Sequence, residues 1–191
     1  MEVKKFARDF LDKTKKSLDE LSLEKIESMV NILIDAYKKD KQVILFGNGG
    51  SASTASHFAS DLAKGTVIAN KRRFRAICLN DNIPMLTAWS NDSSYEQVFK
   101  EQLVNFLRPG DVVIGISGSG NSPNVLNAIQ YANEHGATTI GLTGYDGGKL
   151  KRLAKECIVA PGNDMEIAET IHLLLEHVIK LYLRAWIEKS A

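Results

Sequence analysis

The chain has 191 residues, a formal net charge of +1 and 44% hydrophobic residues. This size and composition suit one domain with a full core, and they exclude a disordered, collagen-like or coiled-coil chain. The near-neutral charge offers no broad electrostatic footprint for nucleic acid or an anionic membrane. Two cysteines make no disulfide framework, the chain opens without a signal-peptide pattern, and no apolar run of about 20 residues occurs. We therefore expect a cytoplasmic protein that binds neither nucleic acid nor membrane.

The order of predicted elements indicates an α/β fold. Apolar residues at helical spacing in 3–39 predict two helices, with Ser22 capping the second. These helices precede the first strand, so we interpret 1–39 as a helical extension and 40–191 as the α/β core. Short apolar runs that alternate with helices predict strands at 42–46, 75–79, 111–116, 138–143 and 156–160, and a last helix at 165–188. Such alternation is typical of a parallel sheet with both faces covered.

A glycine-rich loop follows the first predicted strand. Its sequence, GNGGSA at 47–52, matches the dinucleotide-binding pattern G-x-G-x-x-A, which is weak by itself. The acidic residue expected about 20 positions further on is missing. A tight turn that only connects strand to helix is the simpler interpretation. The loop remains a candidate, because ligands of parallel sheets bind at the carboxyl ends of the strands.

A second loop, SGSGNS at 117–122, follows the third predicted strand and precedes a helix. Helix N-terminal amides attract anions, and serine hydroxyls add neutral donors. The loop has no lysine, so it is not a nucleotide P-loop. These features favour a compact phosphate on a small molecule. A structural role is also open, in which Ser122 caps the next helix and Pro123 occupies its first turn.

The ionisable residues of two helices form a second set of candidates. His57 and Asp61 lie four residues apart on one helical face, where they could share a divalent metal, act as a base and its partner, or form an exposed ion pair. On the last helix, Glu169 and His177 lie about 80° apart around the axis, so both can face one site. Two histidines and two carboxylates suit zinc. We interpret His172 and Glu176, also four apart, as a solvated charge pair.

Motifs in five places occur in the order GNGGSASTASHFASDL, SNDSSYEQVF, GISGSGNSPNVL, GLTGYDGG and E-x-x-H-x-x-x-x-H. Together they closely resemble the phosphoheptose isomerases, also called sedoheptulose 7-phosphate isomerases, of the sugar isomerase (SIS) domain superfamily. The resemblance covers essentially the whole chain. It implies a single SIS-type domain with a five-stranded parallel sheet in a flavodoxin-like, three-layer arrangement. It also implies a homotetramer with sites between subunits.

The resemblance implies an activity as well. The reaction would be the aldose–ketose isomerisation of sedoheptulose 7-phosphate to D-glycero-D-manno-heptose 7-phosphate, a step of heptose biosynthesis, through an enediol. The substrate-binding and phosphate-binding positions would be Asn48, Gly49, Gly50, Ser51, Asn91, Asp92, Ser117, Gly118, Ser119 and Ser122. The zinc-binding and catalytic positions would be His57, Asp61, Glu169 and His177. From the residues alone, Asn91 and Asp92 are typical of a loop or a helix cap.

Two positions depart from the family pattern. Asp61 stands where the family usually has glutamate, and Glu169 stands where it usually has glutamine. The second change adds a negative charge, so two histidines and two carboxylates would neutralise a divalent cation. Either Asp61 or Glu169 could then be the carboxylate that moves the carbon-bound proton, while His177 acts as acid and base on the oxygens. The bound zinc ion, one per site, would polarise the carbonyl.

Three other functions stay open at this point. One is an SIS isomerase for a pentose or hexose phosphate. Another is a non-catalytic sugar-phosphate sensor or adaptor, which we would expect to lack the histidine and carboxylate set. The third, a nucleotide-binding oxidoreductase, is disfavoured because the ribose-binding acid is missing.

Overall fold

A computed structural model describes residues 2–190 of the chain. Its five strands form one parallel sheet in the order β2-β1-β3-β4-β5. The strands are β1 (Gln42–Gly47), β2 (Arg75–Cys78), β3 (Val112–Ser117), β4 (Thr138–Thr143) and β5 (Glu156–Val159). The predicted fold class is confirmed, and every strand boundary lies within one residue of its prediction.

Eight α-helices connect and cover the strands in the described part of the chain. They are α1 (Val3–Asp19), α2 (Leu23–Lys38), α3 (Gly50–Ser60), α4 (Ile83–Asp92), α5 (Val98–Phe106), α6 (Pro123–Glu134), α7 (Leu150–Leu153) and α8 (Met165–Lys189). Ser22 caps α2 as predicted, because its side chain accepts a hydrogen bond from the amide of Lys25. After Ser60, α3 continues as a π-helical turn from Asp61 to Gly65.

The sheet has a hydrophobic core on each face because successive strand residues point to opposite sides. Val43 and Leu45 of β1 face a core that is built with α2, α3 and α8. Ile44 and Phe46 face the other core, with α5, α6 and α7. All four side chains are fully buried. The sheet is therefore the middle of three layers, and α3 and α8 lie in the same outer layer.

The strand order reverses between β1 and β3, which are neighbours in the sheet although β2 lies between them in sequence. At such a switch point the loops after the two strands diverge and leave a crevice, the usual ligand position in this architecture. The loops at 47–51 and 117–122 both start there. Among the described residues, no helix combines the length and apolar character that crossing a membrane requires.

Candidate functional site

The loop after β1 is held in place by Asn80, which follows β2. The Asn80 side chain accepts from the Gly47 amide at 3.2 Å and donates to the Gly47 carbonyl at 2.9 Å. Gly49 occupies the N-cap position of α3 with φ +54°, a backbone conformation that favours glycine. The loop therefore turns sharply into α3 at a fixed position above the sheet, and Ser51 is already buried in the first turn of the helix.

Asn48 is tied to the helix that follows the other loop. The amides of Asn48 and Asn124 exchange two hydrogen bonds of 2.9 Å, and the Tyr95 hydroxyl donates to the Asn48 side-chain oxygen at 2.8 Å. Asn124 is 2% exposed, so its amide needs this partner. The reciprocal pair couples the first loop to the N-terminus of α6, which sequence reasoning did not predict.

The loop after β3 is closed by its own serines. The hydroxyls of Ser117 and Ser122 lie 2.9 Å apart, and the Gly120 amide donates to the Ser117 carbonyl at 2.8 Å. Ser122 is at the N-cap position of α6, as the structural interpretation predicted, but its side chain makes no cap hydrogen bond. Gly118 is buried beneath Met165 of α8, and Ser119 is partly exposed. The loop presents serine hydroxyls and the start of a helix at the crevice.

Asn91 and Asp92 do not lie in a loop. They form the last turn of α4, where both are exposed and the Asn91 amide donates to the Asp92 carboxylate at 2.8 Å. The helix extends this far because the Ser93 amide still donates to the Trp89 carbonyl. They were expected in a loop or at a helix cap, but they lie inside the helix just before its C-cap, Ser93. Their role toward a substrate stays a prediction.

Helices α3 and α8 pack in the same direction with a constant register. Four contacts along them each join residues 119 positions apart: Gly50 with Glu169, His57 with Glu176, Asp61 with Lys180, and Gly65 with Arg184. A constant offset of 119 positions means that α3 and α8 run in the same direction. The register therefore fixes which residues of the two helices can meet.

The register brings four potential metal ligands together: His57, Asp61, Glu176 and His177. One ligand atom from each lies within 4.8 Å of the others. His57 Nδ1 is 2.8 Å from Glu176 Oε1, and His177 Nε2 is 3.9 Å from the same oxygen and 4.0 Å from Asp61 Oδ2. The histidine side chains are nearly half exposed, at 46% and 45%. The cluster is therefore buried on its carboxylate side and open on its imidazole side.

The solvated pair predicted for His172 and Glu176 was wrong, because both residues are fully buried. His172 Nε2 lies 3.1 Å from the Thr143 carbonyl, and burial lowers the pKa of His172 to about 4, so the ring is neutral and donates. Burial, and then the charge of Asp61, raises the pKa of Glu176 to about 8, while Lys180 acts in the opposite direction. Each residue lies seven positions before a core residue of α8, Ile179 or Leu183, and so shares its buried face.

The cluster fits a divalent cation. Both carboxylate oxygens of Glu176 and one of Asp61 are buried without a hydrogen-bond donor in the described part of the chain. Such carboxylates are costly unless a cation compensates their charge. Two imidazole nitrogens and two carboxylates match the ligand chemistry of zinc, and their charges balance. A π-helical turn begins at Asp61, and such turns are frequent at functional sites.

Glu169 lies elsewhere on the same face of α8. Its carboxylate rests on Gly50, so closely that a Cβ at Gly50 would overlap it. Both residues line a cleft of about 550 Å³, together with Thr54 and His57. This volume is within the range of small-molecule sites. The structure thus places Glu169 between the first loop and the imidazole side of the cluster, and within one chain it does not bring Glu169 into the cluster.

Sequence reasoning missed Glu176, Lys180 and Asn124. The first two carry a periodic signal, because they precede the core residues Leu183 and Ile187 by seven positions, about two helical turns. Lys180 reaches Asp61 Oδ2 at 3.5 Å and is 22% exposed. No pattern of spacing indicates the partner of Asn124, since it lies 76 residues away.

Comparison with known proteins agrees with this fold. The family described as the SIS domain matches residues 6–144, which is more than half of the chain. The protein is thus an SIS domain protein with an N-terminal helical pair and a long C-terminal helix.

Similar proteins show which family of SIS domain proteins the chain belongs to. The chain is 40% identical over 154 residues to a phosphoheptose isomerase of Citrifermentans bemidjiense, covering 81% of this chain and 80% of that protein. It is 38% identical over 177 residues to the phosphoheptose isomerase of Aquifex aeolicus, covering 93% and 92%. The solved phosphoheptose isomerase of Neisseria gonorrhoeae superimposes with a TM-score of 0.87 at 29% identity, covering 95% and 98%. The chain belongs to the phosphoheptose isomerases, a family of phosphosugar isomerase enzymes.

Proposed function

We propose that the protein interconverts sedoheptulose 7-phosphate and D-glycero-D-manno-heptose 7-phosphate through an enediol. One observation carries the proposal. The carboxylate of Glu169 and the imidazole of His57 line one cleft beside the loop at 47–51, with the metal-ligand cluster at its inner side. An isomerase needs a carboxylate for the carbon-bound proton and an electrophile for the oxygens, within reach of one bound sugar.

The loop at 117–122 would bind the phosphate. Ser117, Ser119 and Ser122 supply hydroxyls, and Gly118 lets the backbone approach the anion closely. The loop after β1 (Asn48, Gly49, Gly50 and Ser51) would contact the sugar, and we keep Asn91 and Asp92 as candidates for the same task. Binding energy from the phosphate, which does not react, would hold the sugar carbons in position for proton transfer.

Residues of the cluster would handle the protons on oxygen. His177 is half exposed, and its Nε2 faces the cluster, 4.0 Å from Asp61 Oδ2. Its other ring nitrogen, Nδ1, would therefore be the atom that gives a proton to one sugar oxygen and takes one from the other. His57, Asp61 and His177, with one further carboxylate, would hold a zinc ion. When bound, zinc supplies Lewis-acid polarisation of the sugar carbonyl.

We also propose that the protein is a homotetramer with sites near the contacts between its chains. The side of α8 that faces away from the core exposes an apolar stripe with helical spacing: Leu174, Val178, Leu181 and Tyr182, which are 39%, 45%, 60% and 55% exposed. An apolar stripe on a long helix favours association. Val178 adjoins His177, so a second copy on this stripe would lie beside the cleft.

A non-catalytic sensor is disfavoured by the cluster itself. A protein that only binds a sugar phosphate needs the two loops, but it has no need of a fully buried carboxylate, Glu176, whose two oxygens lack donors in the described part of the chain. Such groups destabilise a fold, and their presence favours chemistry at this site.

The decisive experiment is turnover of sedoheptulose 7-phosphate by the purified protein, followed by NMR of the product. It is run as purified, after chelation and after zinc is restored, beside pentose and hexose phosphates. We expect turnover of the heptulose phosphate that chelation abolishes and zinc restores. Faster turnover of another sugar phosphate would move the proposal to that substrate. No turnover of any sugar by the zinc-loaded protein would overturn it.

A further inference from the structure

We propose that Asn121 is a positioning residue for the loop at 117–122, which we call the phosphate loop. It acts together with the loop at 144–150, which we call the support loop. The proposal rests on the proposed function, because it concerns how the phosphate of that substrate is held. It also gives a role to the GYDGG motif of the support loop, which lies outside both the cleft and the metal-ligand cluster.

The support loop packs its backbone against the backbone of the phosphate loop. Its Gly144 amide donates to the Gly118 carbonyl at 2.8 Å, and its Leu150 amide donates to the Gly120 carbonyl at 2.9 Å. Gly148 has φ +53°, and a Cβ there would lie 2.7 Å from the Gly120 carbonyl oxygen. Only glycine suits both this conformation and this close approach. The two loops are therefore held together as one unit.

Asn121 supplies the side chain that joins the two loops. Its amide group donates to the Ser119 carbonyl at 2.8 Å, and its side-chain oxygen accepts from the Lys149 amide at 3.2 Å. With this contact, three successive carbonyls of the phosphate loop, those of residues 118 to 120, each receive a hydrogen bond. Carbonyl oxygens carry partial negative charge, so a loop binds an anion only when they are turned away from it. Asn121 holds the middle carbonyl of the three.

Asn121 also determines what the Ser119 hydroxyl can do. The backbone amide of Asn121 donates to Ser119 Oγ at 3.2 Å. A hydroxyl that accepts this bond keeps its own hydrogen free to donate. Ser119 is partly exposed, so this hydrogen can reach a phosphate oxygen in the crevice. Residue 119 is thus ordered before the phosphate arrives, which lowers the entropic cost of binding.

This role acts on binding and not on the chemical step. Without the Asn121 side chain, the Ser119 carbonyl is free to turn toward the crevice, where it would face the phosphate. The phosphate does not react, so its contacts are the same before and during proton transfer. A residue of this kind changes the Michaelis constant and leaves the turnover of the bound sugar nearly unchanged.

The test compares Asn121→Ala with wild type in the full-length protein. The probe is glycerol 3-phosphate, a phosphate monoester without a carbonyl, which therefore cannot isomerise. Its dissociation constant follows from the rise in unfolding temperature with concentration, measured against sodium chloride of equal ionic strength. We expect this constant to rise at least about fivefold in Asn121→Ala. The Michaelis constant for sedoheptulose 7-phosphate should rise by a similar factor, with kcat within about twofold of wild type.

Two further variants complete the comparison. Asn31→Ala, the same substitution at an exposed position of α2, is the matched control and should change none of these constants. If Asn121→Ala does not fold, Asn121→Asp keeps an acceptor for the Lys149 amide and loses the donor to the Ser119 carbonyl. We expect it to weaken binding of glycerol 3-phosphate even in salt that screens its added charge.

The outcomes separate this proposal from the proposed function. An unchanged dissociation constant for glycerol 3-phosphate in the folded variant, or a loss confined to kcat, would overturn the positioning role. Wild type that binds no glycerol 3-phosphate would overturn it as well. If wild type binds the monoester and isomerises no sugar, the proposed function fails, and the binding comparison still decides the role of Asn121.

Discussion

The carboxylate of Glu169 rests directly on the backbone of Gly50, at the start of α3. The contact exists because position 50 has no side chain. It joins the loop after β1 to α8, although the two residues are 119 positions apart in the chain. Gly50 has no positive φ, so its backbone would accept another residue, and the reason for glycine lies in the space that it leaves.

Replacing Gly50 by alanine tests that relationship. The new methyl group would push the flexible end of Glu169 away from the loop, while alanine suits a helix better than glycine. We expect Gly50→Ala to unfold at the same temperature as wild type or higher, to bind zinc normally, and to lose at least about tenfold in turnover. Ser60→Ala, at an exposed position of α3, is the control. Unchanged turnover in Gly50→Ala would show that the position of this carboxylate does not matter.

The reciprocal pair of Asn48 and Asn124 leads to a second prediction. Asn124→Ala removes both 2.9 Å hydrogen bonds and frees Asn48 from α6. We expect the Michaelis constant for the sugar phosphate to rise at least about fivefold, and the free energy of unfolding to fall by about 1 kcal/mol, because the partly buried amide of Asn48 loses its partner on α6. Asn127→Ala removes a more exposed amide of the same helix and should change neither quantity. A Michaelis constant equal to that of wild type would exclude this positioning role.

The strands of the sheet could be predicted because each strand has a pattern within its own short segment of sequence. Each strand is a short apolar run such as QVILF or DVVIGI, and in both of these runs the strand ends at a glycine or serine that begins a turn. The alternation with helices requires parallel strands, and parallel strands bring their loops to one edge. The order of the strands in the sheet does not follow from these patterns, because it depends on contacts between distant segments. The position of the loops at 47–51 and 117–122 on one edge of the sheet could still be predicted, since each loop comes directly after a strand.

The cluster was predicted only in part. The prediction compared the angular positions of the residues around α8 and did not take their distance along the helix axis into account. Glu169 and His177 face the same side, but they are eight residues and about 12 Å apart along α8. The register between α3 and α8, which decides what His57 meets, depends on packing across 119 residues. Glu176 was assigned to solvent because it is charged, although its position seven residues before the buried Leu183 places it on the buried side.

His172 makes the stability of the fold depend on pH. Burial lowers the pKa of His172 from 6.5 to about 4. Between these pH values the unfolded chain is protonated at His172 and the folded protein is not. Stability is therefore complete above pH 6.5 and falls as the pH decreases toward 4. Between pH 7 and pH 5 this group alone should remove about 2 kcal/mol from the free energy of unfolding.

Urea unfolding at both pH values measures that loss. His172→Gln keeps a donor near the Thr143 carbonyl but cannot titrate, so its loss should be smaller than that of wild type by about 2 kcal/mol. The difference between the two proteins cancels the contributions of groups that they share. His135→Gln, at the exposed end of α6, should lose as much as wild type. Equal losses in all three proteins would contradict the effect of burial.

The apolar stripe of α8 gives the last prediction. Leu181, at 60%, is the most exposed residue of the stripe, and a glutamate there would place a charge where a second copy would bury an apolar side chain. We expect light scattering to give wild type a mass of four 21.1 kDa chains, and Leu181→Glu a smaller assembly with the same circular dichroism. Lys13→Glu, which adds a glutamate at an exposed position of α1, should keep the wild-type mass. Wild type with the mass of a single chain would refute the tetramer, and a tetrameric Leu181→Glu would move the contact to another surface.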